Sequence, residues 1–203
     1  MTVALLAGGE AAIAGSFGLG VRTGMLLPAA GSYNAEVSTA ELLEQGYSHG
    51  LFLRQQISKH YGIEAGVDLG WAAFAQAYCE EADKTPHFVQ PAVTFCNRIG
   101  LPMGPVVPYA AVGVGIFPWR FTRDGLTGDP VTVEGEALQK MSTGLVGGAG
   151  VELKLSRWAA IFVETRATYL LSRDRFLFGE HFSEQTVLTV GGGVVFSPWG
   201  GQR

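Results

Sequence analysis

Apolar and polar positions alternate along most of this chain, and the alternation is clearest from Ser142 to Leu171. The odd positions Leu145, Ala149, Val151, Leu153 and Leu155 are apolar, while the even ones carry Gly144, Gly148, Gly150, Glu152 and Lys154. Past Ser156, Arg157 and Trp158 the pattern resumes. Ala159, Ile161, Val163, Ala167 and Tyr169 then share one face, and Glu164, Arg166 and Thr168 the other. Successive side chains of a strand point to opposite faces, so this predicts a hairpin with one greasy face and one face of glycines and charges. In a soluble barrel the greasy face turns inward to fill a core. Glycines beside full charges on the opposite face suit a narrow lumen, with the apolar side turned to lipid.

Six further segments carry the same signature. From Phe17 to Leu27, Phe17, Leu19, Val21, Met25 and Leu27 are predicted to face out, with Gly18, Gly20, Arg22 and Gly24 inside. A polar loop from about Pro28 to Gly46 follows, in which STAELLEQ predicts a helical turn capped by Ser38 or Thr39. The second strand, Gly50 to Ser58, sends Leu51, Leu53 and Ile57 out and Phe52, Arg54 and Gln56 in. After the short turn KHYG, the third runs from Ile63 to Tyr78, with Glu64, Gly66, Asp68, Gly70 and Gln76 inside. The fourth, Phe88 to Asn97, contains Pro91, which cannot donate to a ladder. The fifth is PYAAVGVGIFPW, with Val112, Val114 and Ile116 out and Gly113 and Gly115 in. The hairpin supplies the sixth and seventh, and Val187 to Phe196 the eighth, with Leu188, Val190, Val194 and Phe196 out. Connections are long after the odd-numbered strands and short after the even ones.

These segments are near the roughly 9–11 residues with which a tilted strand crosses a bilayer. Long loops on one side and short turns on the other are the habit of outer-membrane barrels. The fold class expected is therefore all-β, an eight-stranded antiparallel up-and-down transmembrane barrel over residues 16–196, with a tail at 197–203. Residues 1–15 fall outside it: VALLAG followed by Ala12-Ile13-Ala14 is either a signal-peptide remnant or an Ala/Gly-rich extension.

Composition narrows the classes further. The chain is 47% hydrophobic and only 16% charged, against roughly a quarter charged in ordinary soluble domains. No run approaches the roughly 18 apolar residues of a membrane-spanning helix, so the apolar content belongs to a barrel or a large core. A net charge of −4 without a basic patch argues against nucleic acid. Cys79 and Cys96 sit at opposite ends of adjacent predicted strands, too far apart for a disulfide.

Over residues 17–196 the chain resembles the small eight-stranded outer-membrane barrels, the OmpA- and OmpX-like group. The residues that carry the likeness are PYAAVGVG (108–115), GAGVELKLSRWAAIFVETR (148–166) and LTVGGGVVF (188–196). The last is similar to the group's C-terminal insertion signal, which implies that role for Phe196. The resemblance implies residence in the outer membrane of a Gram-negative bacterium. It also implies contact with outer-membrane lipid and lipopolysaccharide, and handling by the barrel-assembly machinery. It carries no activity, since the group holds adhesins, enzymes and anchors.

The predicted lumen set is Arg22, Arg54, Glu64, Asp68, Glu152, Lys154, Glu164 and Arg166, four bases and four acids. Buried charges need partners whatever the function, so a structural ion-pair network that closes the lumen is the expectation, ahead of a solute path. Pairing Ile57 with Ile63 across KHYG would set Arg54 opposite Gly66, and a three-residue turn at Ser156 would set Glu164 opposite Gly150. His181-Phe182-Ser183 is similar to the His-x-Ser pair of lipid A deacylases of this barrel size. The phase of the eighth strand, extended backwards, turns 181 and 183 away from lipid, and Glu184 stands where those enzymes carry asparagine. His49, His60 and His87 are dispersed at predicted strand ends, and Trp71, Trp119, Trp158, Tyr61, Tyr78 and Tyr169 suit an interfacial girdle. No catalytic residue, metal site or cofactor is expected. The function expected is a non-enzymatic barrel that is structural or binds an unidentified partner through its loops. A lipid A or phospholipid esterase is the alternative, and a soluble lipocalin-like binder a more distant one.

Overall fold

The computed structural model describes residues 16–31, 37–79, 84–133, 136–171 and 185–197. Segment 1–15 and the tail after Ser197 lie outside them. The strands are β1 (Ser16–Ala30), β2 (Gly46–Gln56), β3 (Tyr61–Ala73), β4 (His87–Gly100), β5 (Val106–Thr122), β6 (Thr132–Val133), β7 (Glu136–Ala137), β8 (Gln139–Lys154), β9 (Ala159–Leu171) and β10 (Gln185–Phe196). Eight of them close into a barrel in the order β1-β10-β9-β8-β5-β4-β3-β2, while β6 and β7 form a small ladder of their own. Every barrel neighbour is antiparallel.

The alternation read from sequence is the pleat of this barrel. Leu19, Leu51, Leu53, Val67, Val93, Val112, Leu145 and Val163 are all more than half exposed on the outside. A soluble protein does not display so continuous an apolar surface. Turns 57–60, 101–105 and 155–158 lie at the end that also holds the start of β1 and the finish of β10. The longer connections crowd the other end.

Three differences from the expected boundaries have one cause, the reach of the neighbouring strand. β2 starts at Gly46 because it pairs with β1 as far as Leu26. β8 starts at Gln139 because β5 runs on to meet it at Arg120. β3 stops at Ala73, opposite His87 where β4 begins, and Gln76–Tyr78 then form a single 3-10 turn in place of further strand. The helical turn in the first loop is α1 (Thr39–Leu42), with Ser38 as its cap. The Ser38 hydroxyl accepts from the Glu41 amide, and the Glu41 carboxylate accepts from the Ser38 amide in return. Those bonds to its charged form hold the Glu41 carboxyl below the usual carboxylate range.

Pro91 does not interrupt β4. It pairs with Leu69 of β3, and Pro118 stands at the matching level of β5 on its other side. The β4–β5 ladder lapses there and resumes in unchanged register at Val89 with Arg120 and at Val93 with Ile116. Two prolines thus share one gap, where neither leaves a partner's hydrogen bond unmet elsewhere.

The inward glycines set the bore. A methyl at Gly113 would lie 2.0 Å from the Phe95 carbonyl oxygen and 2.7 Å from the Cys96 Cα, both backbone. Gly113→Ala is therefore expected to lower the fraction that folds, because strands β4 and β5 would have to part. Val112→Ala, one residue away on the outer face, should fold like the wild type. The share of unboiled protein at the folded, heat-modifiable position on a gel checks both.

Candidate functional site

The lumen is built in two tiers. Toward the turn end it is ionic. Arg22 comes from β1, Arg54 from β2, Glu64 and Asp68 from β3, Glu152 from β8, and Glu164 and Arg166 from β9. Each sits on the inward phase of its strand, and all but Asp68 have buried side chains.

Glu64 is the hub. Arg22 Nη1 lies 2.8 Å and Arg166 Nη2 2.5 Å from its Oε1, and Arg54 Nη2 lies 3.0 Å from its Oε2. Asp68 takes two bonds of 2.6 Å from Arg22, through Nε and Nη2. This two-pronged geometry suits a planar guanidinium and would not survive a lysine. Glu152 accepts from Arg54 at 2.6 Å, across the bore from a strand that is no neighbour of its own. Glu164 takes Arg166 Nε at 2.8 Å and the Tyr109 hydroxyl at 2.9 Å. Aromatic faces complete the shell, with Arg22 5.2 Å and Arg54 5.0 Å from the Phe52 ring centroid. Glycines are the seats. A methyl at Gly66 would come within 2.5 Å of Arg22 Nη2, and one at Gly50 would collide with the Asp68 carboxylate.

Two sequence expectations are corrected here. Lys154 does not join the network: it is exposed at the last residue of β8, where its amide donates to the Pro105 carbonyl. Its phase is inward, but its height puts it in solvent at the rim. Arg98 supplies the fourth base instead. It is 5% exposed, lies 2.7 Å from Glu152 and stacks 3.8 Å from the Tyr109 ring centroid. The signal was present in the phase of β4, since 98 follows 94 and 96 inward. The second correction is the register of β2 and β3. Arg54 stands opposite Glu64 and not Gly66, because the turn closes two residues tighter, with Gln56 paired to Gly62. Asp68 is left to Arg22. The hairpin expectation fits the structure, with Gly148 opposite Arg166 and Gly150 opposite Glu164.

The loop end of the lumen is apolar, a tier that the charged positions of the sequence do not mark. Leu26, Phe74, Phe88, Phe117, Trp119, Phe121, Leu138, Leu170 and Val187 form one buried cluster, and Leu42 and Leu43 enter it from α1 and the residue after it. Trp119 is thus no girdle residue: it is 3% exposed and its indole donates to Ser142 Oγ at 3.0 Å. The inward phase of β5 carries straight from Gly115 through Phe117 and Trp119 to Phe121. Between the tiers lies a cavity of about 50 Å³, bordered by Arg22, Asp68, Gln90, Phe117 and Arg166. Gln90 Nε2 and Arg98 Nε are buried there and in the ionic tier without an acceptor among the described residues.

Other residues singled out in the sequence fall as follows. Trp158 is exposed at the turn end and stacks on Phe196, centroids 6.2 Å apart. Tyr61 donates to Asn97 Oδ1 at 2.6 Å. Cys79 and Cys96 are both free thiols. His60 and His87 are at strand ends and bond to the carbonyls of Gly100 and Thr85. His49, in contrast, is inside β2, since that strand begins earlier than expected. The segment His181–Glu184 lies outside the described residues.

A closed eight-stranded antiparallel barrel with its greasy face outward has counterparts among solved structures. Neisserial surface protein A matches with a TM-score of 0.59 at 12% identity, over 89% of this chain and 96% of that one. The outer membrane protein OprG from Pseudomonas aeruginosa matches at 0.54 and 16% identity, over 91% and 97%. The fold is that of the small eight-stranded outer-membrane barrels. No family model and no curated protein sequence matches the chain.

The hub and the rim separate by substitution. Glu64→Gln or Arg166→Ala in this barrel strands buried charge and is expected to cost about 3–5 kcal/mol. Arg98→Ala leaves Glu152 its bond to Arg54 and should cost roughly 1.5–3 kcal/mol, as for one hydrogen bond to a charged group. Lys154→Ala should stay within about 0.5 kcal/mol of wild type. Urea unfolding in detergent micelles, followed by tryptophan fluorescence, reads all four.

Proposed function

We propose that this chain is a non-enzymatic protein of the outer membrane, a closed barrel that anchors long extracellular loops and works through them. The observation that carries this reading is the filling of the lumen. A layer of four arginines and four carboxylates lies beneath an apolar stopper, and the cavity between them has room for a few waters, each needing about 10–15 Å³.

Charge balance supports closure. A water-filled pore solvates unmatched charges, whereas a dry lumen needs each one met by a partner of opposite sign. Here every carboxylate of the layer accepts from at least one arginine, and no acid is left over for a passing solute. The first loop adds to the stopper, since Ala75 and Glu44 amide bonds tie α1 and its sequel into the mouth. What remains for function is the surface of the connections at that end, where binding residues can vary without disturbing the wall. Outer-membrane lipid and lipopolysaccharide cover the belt. The exposed Phe196 closing β10 suits recognition by the barrel-assembly machinery. The loop partner is a molecule at the cell surface.

Purified wild-type protein in planar bilayers is expected to give no stable conductance steps. Stable nanosiemens-scale steps would overturn the closed-lumen reading. Lipid A and phospholipids from cells expressing the protein should keep their masses, and loss of an acyl chain would overturn the non-enzymatic one.

A further inference from the structure

Residues with little or no side chain meet at one level of the lumen. Pairing carries a single inward-facing row from Glu164 through Gly191, Gly24, Ser48 and Gly70 to Gln90, across six strands. Three of the six are glycines. With so few side chains to fill it, the bore is left there with the cavity of about 50 Å³ between the ionic tier and the apolar stopper.

The walls of that cavity carry more polar groups than they bond. Gln90 is 6% exposed, and its Nε2 has no acceptor among the described residues. Arg166, 8% exposed, gives Nε to Glu164 and Nη2 to Glu64, and no described residue takes Nη1. Thr94, Thr168 and Thr189 border the cavity too, and their hydroxyls bond to no described residue. Thr168 is the plainest case. Its row neighbours are Val146 and Val187, so packing alone would choose a valine there. Polar groups inside a fold are costly without a partner, and five around one space call for a shared one.

We propose that the cavity is a hydration site holding roughly three to five ordered waters, at about 10–15 Å³ each, which join Gln90 on β4 to Arg166 and Thr168 on β9. Those two strands are not neighbours in the barrel order, so the waters tie walls that share no edge. The charges at the cavity already balance. Asp68 takes both prongs of Arg22, and Glu164 takes Arg166. An added ion of either sign would be a buried charge without a counterpart. An apolar occupant would leave the amide and the hydroxyls unmet. Water both donates and accepts, and a buried water makes about three such bonds as a part of the structure. The ionic tier is satisfied by its own pairs; the waters serve the level above it. The site rests on the closed-lumen reading, since waters in an open pore would exchange with bulk.

Crystals of the full chain grown with bromide in place of chloride, and urea unfolding in detergent micelles, test the site. High-resolution density is expected to show waters within hydrogen-bond distance of Gln90, Arg166 and Thr168, cut off from bulk at both ends, with no anomalous bromide peak among them. Gln90→Met and Thr168→Val, apolar and close in shape, should each lose at least one of those waters. Each should also lower the folding equilibrium constant roughly two- to tenfold, the worth of one net hydrogen bond. The sign decides, because in a dry cavity the same changes remove a donor that has no partner, and stability would rise. Either variant as stable as wild type or more so, a cavity without water, or bromide within it would each overturn the hydration site and leave the lumen closed. An unbroken file of waters to bulk at both ends, with conductance in planar bilayers, would overturn the closed lumen itself and the site with it.

Discussion

An eight-stranded barrel has an interior just wide enough for side chains, so a charge placed inside is stripped of water on all sides. It has to be met by groups that other strands present. In this protein that requirement converges on Glu64, which accepts from arginines of β1, β2 and β9. Taking a carboxylate and a guanidinium out of water costs several kcal/mol each, and that penalty is offset only where geometry and hydrogen bonding are good. Three guanidiniums on one carboxylate would still leave excess positive charge. Asp68, Glu152 and Glu164 remove it, each by binding an arginine that already touches Glu64 or, for Glu152, Arg98 as well.

The glycines follow from that demand. An arginine reaching across the bore needs an empty place opposite its stem, which Gly148 and Gly193 provide for Arg166 and Arg22, and room for its head, which Gly66 leaves for Arg22. The same glycines let the sheet curl tightly enough to close. The ionic tier and the small radius are therefore one solution: wider walls would admit water and loosen the pairs, and bulkier inward residues would prevent closure. Above it the problem changes. At the loop end the aromatic residues of β4 and β5 with Leu42 and Leu43 fill the lumen as an ordinary apolar core.

Outside, the wall is divided by depth more than by strand. Tyr47, with the half-buried Trp71 beside it, stands toward the loop side, Trp158 and Phe196 toward the turn side, and leucines and valines lie between. The Thr23–His49 pair breaks this division, two polar side chains on the outer face that bond to each other. The barrel interior and exterior thus use polar residues under the same rule, that each needs a named partner in a medium that supplies no water.

How much of this was legible beforehand depends on range. Which face each strand residue takes is a local matter with period two, so the strand number, the apolar belt and the inward positions of Arg22, Glu64 and Arg166 could be read from alternation alone. The β8–β9 register could be read too, since a three-residue turn leaves no freedom to slip. Height in the barrel is not local. Whether an inward residue is buried or at the rim depends on where its neighbours' strands end, and that is why Lys154 proved exposed and Arg98 took its place. Pairs across the bore, such as Arg54 with Glu152, join strands that never touch along their edges. Only closure of the sheet sets their distance, as only closure brings α1 over the mouth and lines up the row through Gly192, Thr23 and His49.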